Sequence, residues 1–232
     1  VNKSPVILAL DCDSVEIAKS WIEATRESIS TYKVGLEFFL AFGSQGIHEL
    51  RSAGDFDLFL DLKLHDIPNT VSGAVQSVRD LDPRFLTVHA SGGKQMITAA
   101  VDGAPGIAIT AVTVLTSIDS STLAEMGIAL KPLELARSLA INSVKAGARA
   151  LVCSPLEVAE IRAAVGPDIT LITPGVRPAD SQLGDQLRVM TPKAAISAGS
   201  DYLVIGRPIT AFYKESAQAM NKRAHEICES LA

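Results

Sequence analysis

Eight short runs of apolar and β-branched residues recur along the 232-residue chain, at 6–11, 32–37, 57–64, 85–90, 108–115, 150–154, 170–175 and 202–207. Runs of this length bounded by turn residues read as strands. Between them lie longer stretches with helical apolar spacing, over 15–29, 70–81, 95–101, 132–146, 156–165, 191–198 and 212–231. The first of these carries Ile17, Ala18, Trp21 and Ile22 on one face. Alternation of strand and helix implies parallel strands, because a parallel pair needs a crossover rather than a tight turn. Eight such units in 232 residues, with no linker or low-complexity stretch, favour closure over an open doubly wound sheet. The expected architecture is α/β, a single (β/α)8 TIM barrel spanning residues 1–232 as one catalytic domain.

Composition narrows the function. The formal net charge is −5, and Lys and Arg are scattered without a basic run, which argues against nucleic acid and acidic membranes as partners. Cys12, Cys153 and Cys228 are widely separated and form neither a CxxC pair nor a Cys/His ligand spacing, as expected of a reducing compartment. The apolar run at 6–10 stops at Asp11, too short for a signal-peptide core, and no window approaches a membrane span. A cytoplasmic location is expected.

The chemistry concentrates in Asp61-Leu62-Lys63-Leu64-His65-Asp66, which puts opposed charges into an otherwise apolar strand and its exit turn. Strand alternation sends Asp61 and Lys63 to one face, with Cα atoms roughly 6 to 7 Å apart, and Leu60, Leu62 and Leu64 to the other. Buried charges survive only when paired, and a carboxylate beside an ammonium keeps that lysine charged and oriented. Such a pair is either a structural ion pair or a catalytic device.

In a (β/α)8 barrel the chemistry sits at the carboxyl ends of the strands, and Asp11, Lys33, Asp61, Lys63, Thr116, Arg177 and Arg207 fall there or nearly there. Gly206-Arg207-Pro208 follows the eighth strand, where barrels commonly hold phosphate. Arg207 offers a guanidinium fork, and the alternative is a turn glycine beside a surface arginine. The polar connection from 176 to 190 is long for such a loop and reads as a lid that would bring Arg177 and Gln186 onto substrate, or else as a plain surface loop. Asp11 and Lys33 could hold ribose hydroxyls, although Asp11 could equally begin the turn into the helix near Ser14, and Asp66 could merely cap the helix near Pro68. His89 reads as a structural histidine, His65 is ambiguous, and His48 and His225 read as surface residues. No metal-ligand cluster, GxGxxG or GxxxxGK[ST] motif is present, so neither a metal nor an organic cofactor is expected.

Taken together, the chain resembles the orotidine 5'-monophosphate decarboxylase family over nearly its whole length. The most specific element is 61–70, Asp61-Leu62-Lys63-Leu64-His65-Asp66-Ile67-Pro68-Asn69-Thr70. It is supported by Leu8-Ala9-Leu10-Asp11, Tyr32-Lys33-Val34-Gly35, Val114-Leu115-Thr116-Ser117, Thr173-Pro174-Gly175-Val176-Arg177-Pro178 and Val204-Ile205-Gly206-Arg207-Pro208. The resemblance implies cofactor-independent decarboxylation of orotidine 5'-monophosphate to UMP, the last step of de novo pyrimidine nucleotide synthesis. It implies a charge network of Lys33, Asp61, Lys63 and Asp66, with Lys63 donating the proton to C6 of the pyrimidine. Asp61 would lie beside the departing carboxylate, and Asp11, Lys33, Asp66 and Thr70 would hold the ribose. Thr116 would contact the base, while Arg177, Gln186, the Gly206 amide and Arg207 would serve the lid and phosphate. It also implies a homodimer with shared sites, Asp66 and Thr70 reaching the partner's cavity.

Two competing readings are a metal-dependent sugar-phosphate lyase or aldolase of the hexulose-phosphate synthase type, whose barrels share an Asp-x-Lys-x-x-Asp strand, and a catalytically silent nucleotide-binding barrel. The full 61–70 element and the Gln186-containing loop favour the decarboxylase over the first, and an intact Lys63 argues against the second.

Overall fold

A computed structural model describes residues 4–178 and 190–231. Its strands are β1 (Val6–Ala9), β2 (Thr31–Gly35), β3 (Asp57–Leu64), β4 (Pro83–His89), β5 (Ala108–Val112), β6 (Ala150–Val152), β7 (Thr170–Thr173) and β8 (Tyr202–Ile205). The helices are α1 (Val15–Thr25), α2 (Leu36–Leu50), α3 (Pro68–Ser77), α4 (Gly93–Gly103), α5 (Ser120–Glu125), α6 (Pro132–Lys145), α7 (Val158–Val165), α8 (Pro192–Ser197), α9 (Arg207–Thr210) and α10 (Ala217–Glu229). All strand pairs are parallel, and β8 pairs with β1 to close an eight-stranded barrel in sequence order. The expected α/β barrel is the observed one.

Closure gives the strands two buried faces, which is why their sequences are apolar nearly throughout. Inside the barrel, Ile7, Phe59, Phe85, Ala150 and Ile172 form a compact plug, with Phe85 edge-on to Phe59 and Tyr202. Outside it, a larger core packs strand residues such as Leu8, Leu60 and Leu86 against helix residues such as Ile22, Ile97 and Ile161. Alternation along each strand thus divides its side chains between the two cores. The plug fills one end and leaves the carboxyl end of the barrel open to polar residues. Helix starts are chemically explicit: Ser14, Asp119, Thr191 and Ser216 cap α1, α5, α8 and α10 by accepting backbone N–H groups. Proline occupies the first turn of α3, α6, α8 and α9, where its missing N–H removes no helical bond.

Several element boundaries differ from the sequence expectation. The strand expected over 32–37 stops at Gly35, and α2, which is not among the helix patterns singled out, follows it. That segment is kinked at Gly43, and its polar residues Glu37, Ser44, Gln45, His48 and Glu49 are exposed. Phe38, Gly46, Ile47 and Leu50 are buried, and a Cβ on Gly46 would lie 2.5 Å from Phe42, so glycine lets the aromatic pair pack. The helix expected over 212–231 is divided. Residues 207–214 form α9 and a 3-10 turn, and α10 begins only after the Ser216 cap. The helix expected over 15–29 ends at Thr25, whose hydroxyl turns back to the Trp21 carbonyl.

Candidate active site

Strand β3 departs from the regular pleat where its charges lie. Leu60 pairs with Leu86 and Leu64 with Val88, so four steps of β3 span two of β4. The strict alternation expected from the sequence therefore breaks at this bulge, and Lys63 adopts a left-handed backbone with φ +49°. Asp61 and Lys63 nevertheless meet, with Lys63 Nζ 2.8 Å from Asp61 Oδ1. The second carboxylate oxygen lies 3.7 Å from Lys33 Nζ, which is itself 3.0 Å from Asp11 Oδ1. The result is a chain of alternating charge, Asp11, Lys33, Asp61 and Lys63, across the ends of β1, β2 and β3. Burial alone would raise the Asp61 carboxyl, but the ammonium groups of Lys33 and Lys63, with hydrogen bonds from Lys63 and Thr87, outweigh it and hold the pKa below the ordinary aspartate value.

The network forms one wall of a cavity of about 580 Å³, within the range of small-molecule sites. Thr116, after β5, and Arg177, Gly206 and Arg207, after β7 and β8, also line it. In a ring of eight strands β3 stands opposite β7, so the lysines and the guanidinium groups occupy facing walls. Burial lowers the Arg177 pKa, and the neighbouring positive charge of Arg207 lowers it further. The Arg177 N–H donates to the Met190 carbonyl at 3.0 Å, which ties together the two ends of the loop expected to act as a lid.

A positively charged wall facing an ammonium–carboxylate network suits a substrate with a phosphate at one end and a reacting carboxylate at the other. Residues 4–221 match the family model for the Orotidine 5'-phosphate decarboxylase / HUMPS family. The chain belongs to this family. The orotidine 5'-phosphate decarboxylase of Thermobifida fusca is 56% identical over 207 residues, covering 89% of each chain. That of Frankia casuarinae is 46% identical over 226 residues, covering 90% of this chain and 82% of the relative. A crystal structure of orotidine 5'-phosphate decarboxylase from Lactobacillus acidophilus superposes with a TM-score of 0.84 at 37% identity, covering 99% of both chains.

Not every residue implied by the decarboxylase resemblance gathers in this cavity. Asp66 and Thr70 are exposed and do not line it. Asp66 is not the cap of α3 either. Ile67 holds that position, and the Asp66 carboxylate accepts the Ile67 N–H at 2.6 Å. Asp11 likewise leaves the capping of α1 to Ser14. Gln186 lies outside the described residues. His89 is half-buried, its pKa lowered by burial and by His65 and Lys63, and its ring sits 5.5 Å from that of His65. Among the described residues, no three His, Cys, Asp or Glu side chains are grouped to hold a metal ion, and no helix is long and apolar enough to cross a membrane.

Two members of the site escaped the sequence reading. Thr87 donates to Asp61 Oδ1 at 3.1 Å and accepts the Lys63 N–H at 2.8 Å. Its signal was alternation, which turns Phe85, Thr87 and His89 to the barrel interior. Gly35 was read only as part of a motif, yet a Cβ there would fall 3.0 Å from Lys33 Nζ.

Proposed function

We propose that this chain decarboxylates orotidine 5'-monophosphate to UMP without a cofactor, with Lys63 as the proton donor to C6, in the final step of de novo pyrimidine nucleotide synthesis. The observation that carries the reading is the Asp61 carboxylate held between the Lys33 and Lys63 ammonium groups inside the cavity. Cleavage of the bond from C6 to the carboxylate releases CO2 and leaves an electron pair in the plane of the ring, where the π system cannot delocalise it. An ammonium fixed beside C6 stabilises that pair and then transfers a proton to it, and solvent reprotonates the amine. At an effective dielectric of 20, unit charges 4 Å apart interact by about 4 kcal/mol, roughly three decades of rate if realised only in the transition state. Asp61 serves chiefly to keep Lys63 charged and oriented, consistent with its direct bond to the ammonium.

In this reading Arg177, Gln186, the Gly206 amide and Arg207 hold the phosphate, Asp11 and Lys33 the ribose, and Thr116 the base. The whole chain acts as one catalytic domain in the cytoplasm, a location that suits its three free thiols. It works as a homodimer in which Asp66 and Thr70 complete the partner's site. The large apolar side chains Leu40, 80% exposed, and Ile67, 66% exposed, lie on the helix and loop that follow β2 and β3, where a partner would cover them. The test is release of CO2 from orotidine 5'-monophosphate by wild type and Lys63→Ala. The variant should lose turnover while still binding UMP, since the phosphate and ribose contacts remain. Turnover within tenfold of wild type would remove Lys63 from the chemistry.

A further inference from the structure

Lys63 is held at both ends, and the second hold comes from a residue that never reaches the cavity. Its left-handed backbone takes its N–H out of the regular ladder with β4. Thr87 supplies the replacement, its hydroxyl oxygen accepting the Lys63 N–H at 2.8 Å. A backbone N–H can only donate, so the single hydroxyl proton of Thr87 is left for Asp61 Oδ1, 3.1 Å away. That same oxygen receives Lys63 Nζ at 2.8 Å. Backbone amide, threonine hydroxyl, carboxylate and ammonium thus form a closed ring that begins and ends on Lys63. The geometry points to Thr87 as a positioning residue, whose hydroxyl locks the Lys63 bulge to the Asp61 carboxylate and so sets where the ammonium stands.

Three other buried threonines, Thr25, Thr110 and Thr113, show a plainer behaviour. Thr25 and Thr110 donate to backbone carbonyls within four residues, and Thr113 donates to the carbonyl of Val152 on the neighbouring strand. Thr87 instead bridges two charged residues 24 and 26 positions away in sequence, and it is fully buried. It does not line the cavity, so it acts through Lys63 and Asp61 rather than on substrate.

This inference rests on the decarboxylase reading, and the experiment separates the two. Turnover number and UMP dissociation constant would be measured for Thr87→Val, which keeps the shape and loses the hydroxyl, for Thr87→Ser, which keeps the hydroxyl, and for Lys63→Ala. Misplacement of a reacting group by about 1 Å costs on the order of 100-fold, so Thr87→Val should lose roughly 10- to 100-fold in turnover. UMP affinity should stay within about threefold, and Thr87→Ser should keep turnover within about threefold of wild type. Wild-type turnover in Thr87→Val, with Lys63→Ala inactive, would overturn the inference alone. So would a parallel loss of turnover and UMP affinity, or failure of serine to restore turnover, since either would mark a general packing role. An active Lys63→Ala would instead overturn the function reading. Should the valine variant not fold, Thr87→Ala, which lacks the hydroxyl and adds no bulk, is judged by the same outcomes.

Discussion

A side-chain carbon at Gly35 would stand 3.0 Å from the Lys33 ammonium and 3.4 Å from the Asp11 carboxylate. The Gly35 backbone has φ −95°, which alanine adopts without strain, so the position needs glycine for space rather than conformation. Gly35→Ala should therefore fold with stability within about 1 kcal/mol of wild type, because the end of a flexible lysine can move aside. The displaced ammonium should lower kcat/KM by roughly 10- to 100-fold. Thermal unfolding and CO2 release on the same preparation check both halves, and full activity would show that Lys33 tolerates displacement.

The buried carboxylate makes a prediction about acid. Asp61 has a pKa below its unfolded value of about 3.9, so it contributes stability that is fully present above that pH and lost as pH falls through the folded value. Wild type should lose this contribution below about pH 4. Melting temperatures of wild type and Asp61→Asn, followed from about pH 5 to about pH 2, should show the shallower decline in the variant. Parallel curves would mean that Lys33 and Lys63 do not hold Asp61 ionised.

Arg207 and Arg177 stand on the same wall of the cavity, and the positive charge of Arg207 lowers the Arg177 pKa. Losing one charge-assisted contact of about 1.5 to 3 kcal/mol should weaken UMP binding in Arg207→Ala by roughly 10- to 150-fold. Turnover should fall as well if phosphate binding drives loop closure. An unchanged Michaelis constant would contradict the phosphate role.

Two ammonium groups already neutralise Asp61, so a divalent cation at that carboxylate would have to displace them. Activity should persist after exhaustive treatment with chelator. Loss of activity restored by Mg2+ would favour the metal-dependent sugar-phosphate lyase reading.

If Asp66 completes the partner's site, two inactive variants should complement each other. Subunit exchange between Lys63→Ala and Asp66→Asn gives mixed dimers in which one site carries both lesions and the other neither. Random pairing leaves about one quarter of all sites intact. Activity that stays at the level of the unmixed variants would assign Asp66 to its own chain.

The sequence alone determined the architecture and most of the chemistry. Periodicity is a local property, and β-branched runs alternating with helical patterns already point to parallel strands with two buried faces, and at this length favour a barrel over an open sheet. The same local logic marks Asp61 and Lys63, because charges inside an apolar strand must find partners, and it places Asp11, Lys33, Thr116, Arg177 and Arg207 at strand ends. It did not single out α2, whose buried face rests on Phe38 packed against Phe42 beside Gly46. Only tertiary structure decided how Lys63 is aimed. The bulge arises from pairing between β3 and β4, the Thr87 bonds span more than 20 residues, and the space kept by Gly35 is defined by Asp11, just after β1, and Lys33 on β2. Contacts of that kind leave no period in the sequence, because they depend on which strands closure brings side by side and at what register.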